Sequence, residues 1–194
     1  MYKELFGLQK DPFLLTPDPS FLFLTDQHRE ALSGLTLALL QRKGLVVLSG
    51  AVGTGKTTLL ARMLRFLPAS RLQFSMIVHP TLTPSEFLEL VLLDFGVTDI
   101  PSSKAERIFK LLNLILEGQR EGKVSVLIVD EAHLLATKVL EEIRMLCSME
   151  DPEDRCLQIL LVGQRELDKV LGEQELGLSG NVTDRKSTRL NSSH

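Results

Sequence analysis

The sequence is organised around one glycine-rich stretch, Gly50-Ala51-Val52-Gly53-Thr54-Gly55-Lys56-Thr57. It matches G-x-x-x-x-G-K-[ST] at every fixed position, with the apolar run Leu45–Leu48 before it and a helical pattern over Gly55–Leu67 after it. Glycines let backbone N–H groups turn toward a phosphate, which a Cβ would obstruct. The positive end of the following helix also favours an anion. The stretch therefore predicts a phosphate-binding loop between a buried strand and a helix.

We expect specific roles for three residues at and just after the end of this loop. Lys56 places a point charge on the β- and γ-phosphates of a nucleotide, and we count it as catalytic. The hydroxyl of Thr57 is expected to ligate Mg²⁺. Thr58 is included among the cofactor-binding residues, although its position also fits the interior of the helix.

An acidic pair follows the most apolar run of the chain, Val124–Val129. Asp130 is expected at the carboxyl end of this strand, where ligands gather in open α/β sheets, and there it should hold Mg²⁺ through water. Glu131 should orient or deprotonate an attacking water molecule. With the phosphate loop upstream, the pair predicts ATP and Mg²⁺ as cofactors.

Two further polar residues are candidates at the same place. Gln164 follows the apolar run Leu157–Val162, a strand that in an ATPase lies between the loop strand and the acidic strand. Gln164 is then expected to sense the γ-phosphate. The alternative is that it is a solvated residue at the start of a helix. His133 completes Asp-Glu-Ala-His, four letters that also occur in one class of helicases. The other motifs of that class are missing, so His133 is expected to begin a turn, with a catalytic role as the alternative.

The remaining pattern alternates strands with helices, which predicts a parallel sheet with helices on both faces. A strand at Gln73–Val78 and a helix at Pro84–Phe95 separate the loop helix from the acidic strand. We expect a helix to begin near Asp26 with Asp26 as its N-cap, and further N-caps at Thr83 and at Ser102 or Ser103. The inserted strand and Glu131 disfavour a small-molecule kinase, which remains a third interpretation.

The composition is that of an ordinary globular domain, with 194 residues, 44% hydrophobic and 24% charged. The formal net charge of −3 creates no general basic field for nucleic acid, although a local basic patch stays open. Cys147 and Cys156 fit neither a zinc knuckle nor a disulfide framework. No apolar run approaches the ~20 residues of a membrane helix, and Met1–Glu4 does not begin a signal peptide, so we expect a cytoplasmic protein.

The last eleven residues, 184–194, resemble an in-frame translation of a DNA-sequencing adapter. We predict that they do not belong to the natural protein and are unstructured; a natural polar tail is the alternative. Removing their three basic and one acidic residues from totals of 22 and 25 changes the net charge to −5.

These motifs resemble the AAA+ ATPases of the general secretion pathway A type (ExeA-like), relatives of transposition helper ATPases and more distant kin of origin-recognition ATPases. The resemblance covers about residues 1–171. Besides the loop, the acidic pair and Leu161–Gln164, it rests on a leader consisting of Met1-Tyr2-Lys3-Glu4-Leu5-Phe6-Gly7-Leu8, Asp11-Pro12-Phe13, Thr16-Pro17-Asp18-Pro19 and His28-Arg29-Glu30-Ala31-Leu32.

The resemblance implies an AAA+ core of the P-loop NTPase type, in the additional-strand, catalytic-glutamate division. We expect this chain to lack the helical lid that members of the family have. It divides the chain into a leader with the first helix (1–43), a C-terminally truncated ATPase core (44–183) and the adapter-like tail (184–194). Pro12 and Phe13 are expected to line the adenine pocket, with plain core packing as the alternative.

Two departures from the family pattern stand out. His79-Pro80 stands where the family usually has Asn-Pro after the second strand. In the family, this asparagine restrains the catalytic glutamate. The fifth strand, the arginine finger and the lid of the family find no match. Arg144 and Arg155 are the arginines considered for action in trans.

The predicted function is Mg²⁺-dependent ATP hydrolysis that drives or switches a protein partner of a secretion or transposition system. The alternative is a nucleotide-dependent DNA-binding or partner-loading switch with little hydrolysis. By resemblance, the full-length protein is expected to form a homo-oligomer and is compatible with association at the inner membrane.

Overall fold

Helices and strands alternate along the part of the chain that the computed structural model describes, residues 25–78, 80–149, 155–173 and 187–190. The strands and helices predicted above with both bounds agree with the observed ones to within two residues at each end. In chain order the observed elements are α1 (Asp26–Leu40), β1 (Leu45–Gly50), α2 (Lys56–Phe66), β2 (Leu72–Ile77), α3 (Pro84–Asp94), α4 (Lys104–Arg120), β3 (Val124–Val129), α5 (Thr137–Ser148), β4 (Leu157–Gly163), α6 (Glu166–Glu173) and β5 (Ser187–Leu190).

The strands form one sheet in the order β2-β3-β4-β1-β5, and every neighbouring pair is parallel. As predicted, β4 lies between the loop strand β1 and the acidic strand β3, while the inserted β2 lies beyond β3. Because parallel strands point the same way, the segments that follow β1, β3 and β4 all emerge at one edge of the sheet.

Alternate side chains of the central strands feed two separate cores, one on each face. Val46 and Leu48 pack with α1 and α2, whereas Val47 packs with α3, α4, α5 and α6. Strands buried on both faces need continuous apolar runs, which explains the composition of β1, β3 and β4. The prediction of helices on both faces is confirmed.

The helix starts agree with the sequence in part. Thr83 caps α3 as predicted and forms a reciprocal capping box with Glu86. α1 begins at Asp26 as predicted, but the predicted N-cap is wrong by one residue, because it is the Thr25 side chain that accepts the His28 N–H. Ser103 precedes α4, but its side chain makes no capping hydrogen bond.

The amino ends of β1 and β4 are tied together by side chains that reach across the sheet. Gln158 Oε1 accepts the Gly44 N–H at 2.8 Å, and the Arg155 guanidinium donates to the Lys43 carbonyl at 2.7 Å. Gly44 has φ +81°, and a Cβ there would collide with the Arg155 side chain. Arg155, one of the arginines considered for action in trans, thus has a structural contact within its own chain, whereas Arg144 is exposed on α5.

The prediction that residues 184–194 are unstructured is wrong for Ser187–Leu190. These four residues form β5, which pairs in parallel with β1 from Val47↔Ser187 to Gly50↔Leu190. The sheet therefore continues past the predicted domain boundary at 183. Backbone pairing explains this, because the outer edge of β1 offers N–H and C=O groups that an extended segment can satisfy whatever its side chains. The adapter origin of the tail stays a prediction.

The capping box of α3 predicts a pH dependence of stability. Hydrogen bonds from the Thr83 backbone N–H, and next from the Thr83 hydroxyl, hold the pKa of the Glu86 carboxyl below its ordinary 4.5. A carboxylate with a depressed pKa in the folded state stabilises the fold above its unfolded pKa, and this contribution is lost as pH falls through the folded value. Glu86→Gln should therefore lower stability at neutral pH but make little difference well below pH 4.5.

Urea unfolding of the wild type and the Glu86→Gln variant, from neutral pH to well below pH 4.5, measures this difference in stability. Glu141→Gln, at an exposed glutamate of α5, is the matched control for the replacement of a glutamate by glutamine. A stability difference between wild type and Glu86→Gln that stays constant with pH would contradict the assignment.

Candidate nucleotide-binding site

The site residues predicted from the sequence lie together at the carboxyl edge of the sheet. Ser49 pairs with Gly163 and Val129 with Leu161, so the loop after β1, the acids after β3 and Gln164 after β4 leave the sheet side by side. The Asp130 N–H extends the ladder by donating to the Ile77 carbonyl at 2.9 Å. Residues far apart in sequence thus converge on one edge.

The glycine-rich loop has the conformation that its glycines permit. Gly53 has φ +76° and Gly55 has φ +77°, values that side chains with a Cβ rarely adopt. The turn from Ala51 to Thr54, which contains Gly53, is closed by the Thr54 hydroxyl, which donates to the Ala51 carbonyl at 2.9 Å. Gly55 precedes the first turn of α2 and supplies no capping side chain. The N–H groups of this first turn therefore belong to a helix end that favours an anion.

Lys56 folds back over the loop and is nearly buried, with 7% of its surface exposed. Its ammonium group donates to the carbonyls of Gly50 at 3.1 Å and Ala51 at 2.9 Å. Neutral carbonyls solvate this charge without cancelling it, so the loop surrounds a cation that favours a neighbouring anion. Polyphosphate is the ligand that this arrangement suits.

Thr57 and Asp130 meet across the edge. The Thr57 hydroxyl donates to Asp130 Oδ2 at 2.8 Å, and Asp130 Oδ1 accepts the Glu131 N–H at 2.9 Å. Asp130 is almost fully buried, while Thr57 is exposed to the open side. A hydroxyl and a carboxylate oxygen in contact are hard donors of the kind that Mg²⁺ prefers, so the two residues fit the predicted cation.

Glu131 has an unusual backbone for a residue with a side chain, φ +51° and ψ 34°. It precedes the 3₁₀ turn Ala132–Leu134. Its side chain is 42% exposed, yet Oε2 is buried and has no hydrogen-bond partner among the described residues. Strained backbone with an unsatisfied carboxylate oxygen is more common at functional sites than elsewhere, which supports Glu131 as a reactive group.

His133 lies between Glu131 and Gln164. Its Nδ1 is 3.4 Å from Glu131 Oε2 and also 3.4 Å from the Gln164 backbone N–H nitrogen. One ring nitrogen cannot accept from Gln164 and donate to Glu131 in the same tautomer. His133 belongs to the 3₁₀ turn, as predicted, and its ring also lies against the Glu131 carboxylate, the candidate base.

The other predicted site residues divide into two groups. Val52 is strongly exposed at the tip of the loop, and Thr58 is half-buried in the first turn of α2. Pro12, Phe13 and His79 lie outside the described residues, so their roles stay predictions.

Two contacts of the loop region were not predicted. His28 Nε2 of α1 lies 2.9 Å from the Thr54 carbonyl oxygen. The hydroxyl of Ser49, at the end of β1, donates to Asp168 Oδ2 of α6 at 3.1 Å. These contacts join residues 26 and 119 positions apart, and no local pattern signals such pairs.

The fold and the site together define a P-loop nucleotide-binding domain with a parallel sheet. A family described as "AAA domain" matches residues 39–171, which is more than half of the chain. The chain belongs to this family.

Two curated relatives were found by sequence. The chain is 37% identical over 187 residues to General secretion pathway protein A of Aeromonas hydrophila, covering 95% of this chain and 34% of that protein. It is 28% identical over 149 residues to the Signal recognition particle 54 kDa protein of Thermococcus kodakarensis, covering 74% and 33%. The chain thus spans about a third of the length of these relatives. The predicted resemblance to the general secretion pathway A type is confirmed.

Solved structures confirm the fold. The Aeropyrum pernix ORC2 protein in its ADPNP–ADP complexes has a TM-score of 0.63 at 19% identity, covering 93% of this chain and 50% of that one. A chain of Drosophila ORC bound to DNA has a TM-score of 0.54 at 14% identity, covering 86% and 91%. Among the described residues, none of the helices is both long and apolar enough to cross a membrane.

Proposed function

We propose that this chain is an ATPase module that binds Mg·ATP at Gly50–Thr57 and hydrolyses it with Glu131 as the base that activates water. The 2.8 Å contact between Thr57 and Asp130, beside the buried Lys56, carries this proposal. The proposal is supported by the closeness of this contact to the start of α2, a helix end that favours an anion. Nucleotide-bound ORC2 supports the same use of the fold, although its 19% identity speaks only for the fold.

Each residue of the site has a separate part in the proposed reaction. The loop N–H groups and Lys56 bind the phosphates and offset the charge that develops on them. Thr57 and Asp130 would hold Mg²⁺, which supplies charge neutralisation between the phosphates when it is bound. Glu131 orients water and takes up its proton, and Gln164 senses the γ-phosphate.

Phosphate release by the 194-residue chain tests this function. We expect Mg²⁺-dependent release that is slow, because an arginine supplied in trans is worth about 10³–10⁵ in rate in related systems. Failure to bind ATP, or transfer of the γ-phosphate to an acceptor other than water, would overturn the proposal. Fast turnover by the isolated monomer would contradict the need for an arginine in trans.

The second candidate is a nucleotide-dependent switch that binds DNA or loads a partner and hydrolyses little ATP. The 3.4 Å approach of His133 Nδ1 to Glu131 Oε2 favours it, since a proton placed on Nδ1 would bind this oxygen in competition with water. The extent of hydrolysis separates the two candidates, and adding DNA then separates two kinds of pathway. Stimulation of hydrolysis by DNA indicates a transposition-type role, whereas indifference to DNA indicates a secretion-type role, the class named by the Aeromonas hydrophila relative.

The partner side of the proposal follows from the same relative. We place the module in the cytoplasm, where ATP is available, with the full-length protein associated with the inner membrane. A homo-oligomer with a protein partner of a secretion or transposition system is the proposed working form.

A further inference from the structure

His28 of α1 reaches the phosphate loop. Its Nε2 is 2.9 Å from the Thr54 carbonyl oxygen, and its Nδ1 is 2.7 Å from the Thr25 hydroxyl. A carbonyl can only accept, so Nε2 must carry a proton and donate it. The Thr25 hydroxyl can then donate to Nδ1 while it accepts the His28 N–H at 3.3 Å. With this tautomer both ring nitrogens of His28 and the Thr25 hydroxyl have hydrogen-bond partners.

This contact fixes the direction of the next N–H group in the loop. The peptide between Thr54 and Gly55 is trans, so its C=O and N–H point in opposite directions. With the oxygen held by α1, the Gly55 N–H points away from α1. Gly55 directly precedes Lys56 and α2, so this N–H belongs to the group of donors around the anion site.

A restraint matters at this position because the peptide is easy to turn. A flip of the 54–55 peptide changes ψ of Thr54 and φ of Gly55, and glycine accepts either sign of φ at little steric cost. The loop of residues 51–54 is otherwise closed by Thr54 bonding to Ala51, which leaves the Thr54 carbonyl free to point elsewhere. A donor from outside the loop is needed to select one orientation.

We propose that His28 is a positioning residue that holds the phosphate loop in its binding conformation before nucleotide arrives. The inference rests on the proposed nucleotide site and adds a residue that acts on it through Thr54. Preorganisation lowers the cost of binding, so the effect should appear in nucleotide affinity and KM, with kcat at saturation nearly unchanged.

Two substitutions separate the hydrogen bond from the bulk of the ring. His28→Phe keeps a ring of similar size but has no donor, whereas His28→Gln can place an amide N–H near the position of Nε2. Gln27→Ala, at an exposed neighbour on α1, is the control. Binding of Mg·ADP and Mg·ATP is measured by calorimetry, KM and kcat by phosphate release, and folding by thermal melting.

His28→Phe should raise Kd and KM about tenfold, the effect of losing about one hydrogen bond, while His28→Gln stays within about threefold of wild type. Equal affinity of wild type and a folded His28→Phe overturns the inference, and so does an equal loss in both variants. If His28→Phe does not fold, His28→Ala serves as the variant without a donor. Failure of the wild-type chain to bind either nucleotide defeats the proposed function itself, a result distinguishable from failure of the His28 role alone.

Discussion

Glu131→Gln should lower the rate of ATP hydrolysis at least about 100-fold while leaving ATP binding within about threefold of wild type. The glutamine keeps the size of the side chain and can still touch water, but it cannot accept a proton. Because the Glu131 side chain is partly exposed and lies outside the loop, its loss removes no contact of Gly50–Thr57. The measurement is single-turnover phosphate release, with binding followed separately by calorimetry.

A matched control uses another glutamate close in sequence. Glu141→Gln, exposed on α5, should leave both hydrolysis and binding at wild-type values. If Glu131→Gln hydrolyses ATP as fast as wild type, Glu131 is not the base, and the nucleotide-dependent switch becomes the better account of this chain.

Lys56→Met should weaken binding of ATP about 100-fold, since a lost charge-assisted contact in a desolvated site costs about 2–5 kcal/mol. Methionine keeps much of the apolar stem, so the change mainly removes the charge that Gly50 and Ala51 hold in place. Thermal melting should show no large loss of stability, because the fold no longer has to bury a cation. Titration calorimetry with Mg·ATP measures the affinity.

The control for this variant is a lysine that is remote from the loop. Lys138→Met, on the exposed side of α5, should bind ATP as wild type does. Wild-type affinity in Lys56→Met would show that phosphates do not lie against the loop.

Local chemistry made most of this fold predictable. Apolar runs such as Val124–Val129 are long enough for a buried strand and end in charged or glycine residues, which marks their bounds. The place of β4 between β1 and β3 followed from the ATPase arrangement that the loop and the acidic pair indicate, and the N-cap Thr83 followed from capping chemistry. These signals act over a few residues, so they can be read in one dimension.

What could not be predicted depends on three-dimensional approach. The contact of His28 with Thr54 joins two elements whose spacing is set by core packing of α1 against β1. The backbone of Glu131, with φ +51°, depends on how the 3₁₀ turn is accommodated and not on any propensity of glutamate. β5 pairs with β1 through backbone groups, and the pattern of side chains along a sequence is silent about such pairing.

The most direct test of the account is a crystal structure of the chain with Mg²⁺ and a non-hydrolysable ATP analogue. The account predicts that the phosphates lie against Gly50–Thr57 with Lys56 Nζ in contact with them, and that the cation contacts the Thr57 hydroxyl next to Asp130. A nucleotide bound elsewhere on the sheet, or a cation remote from both Thr57 and Asp130, would contradict it.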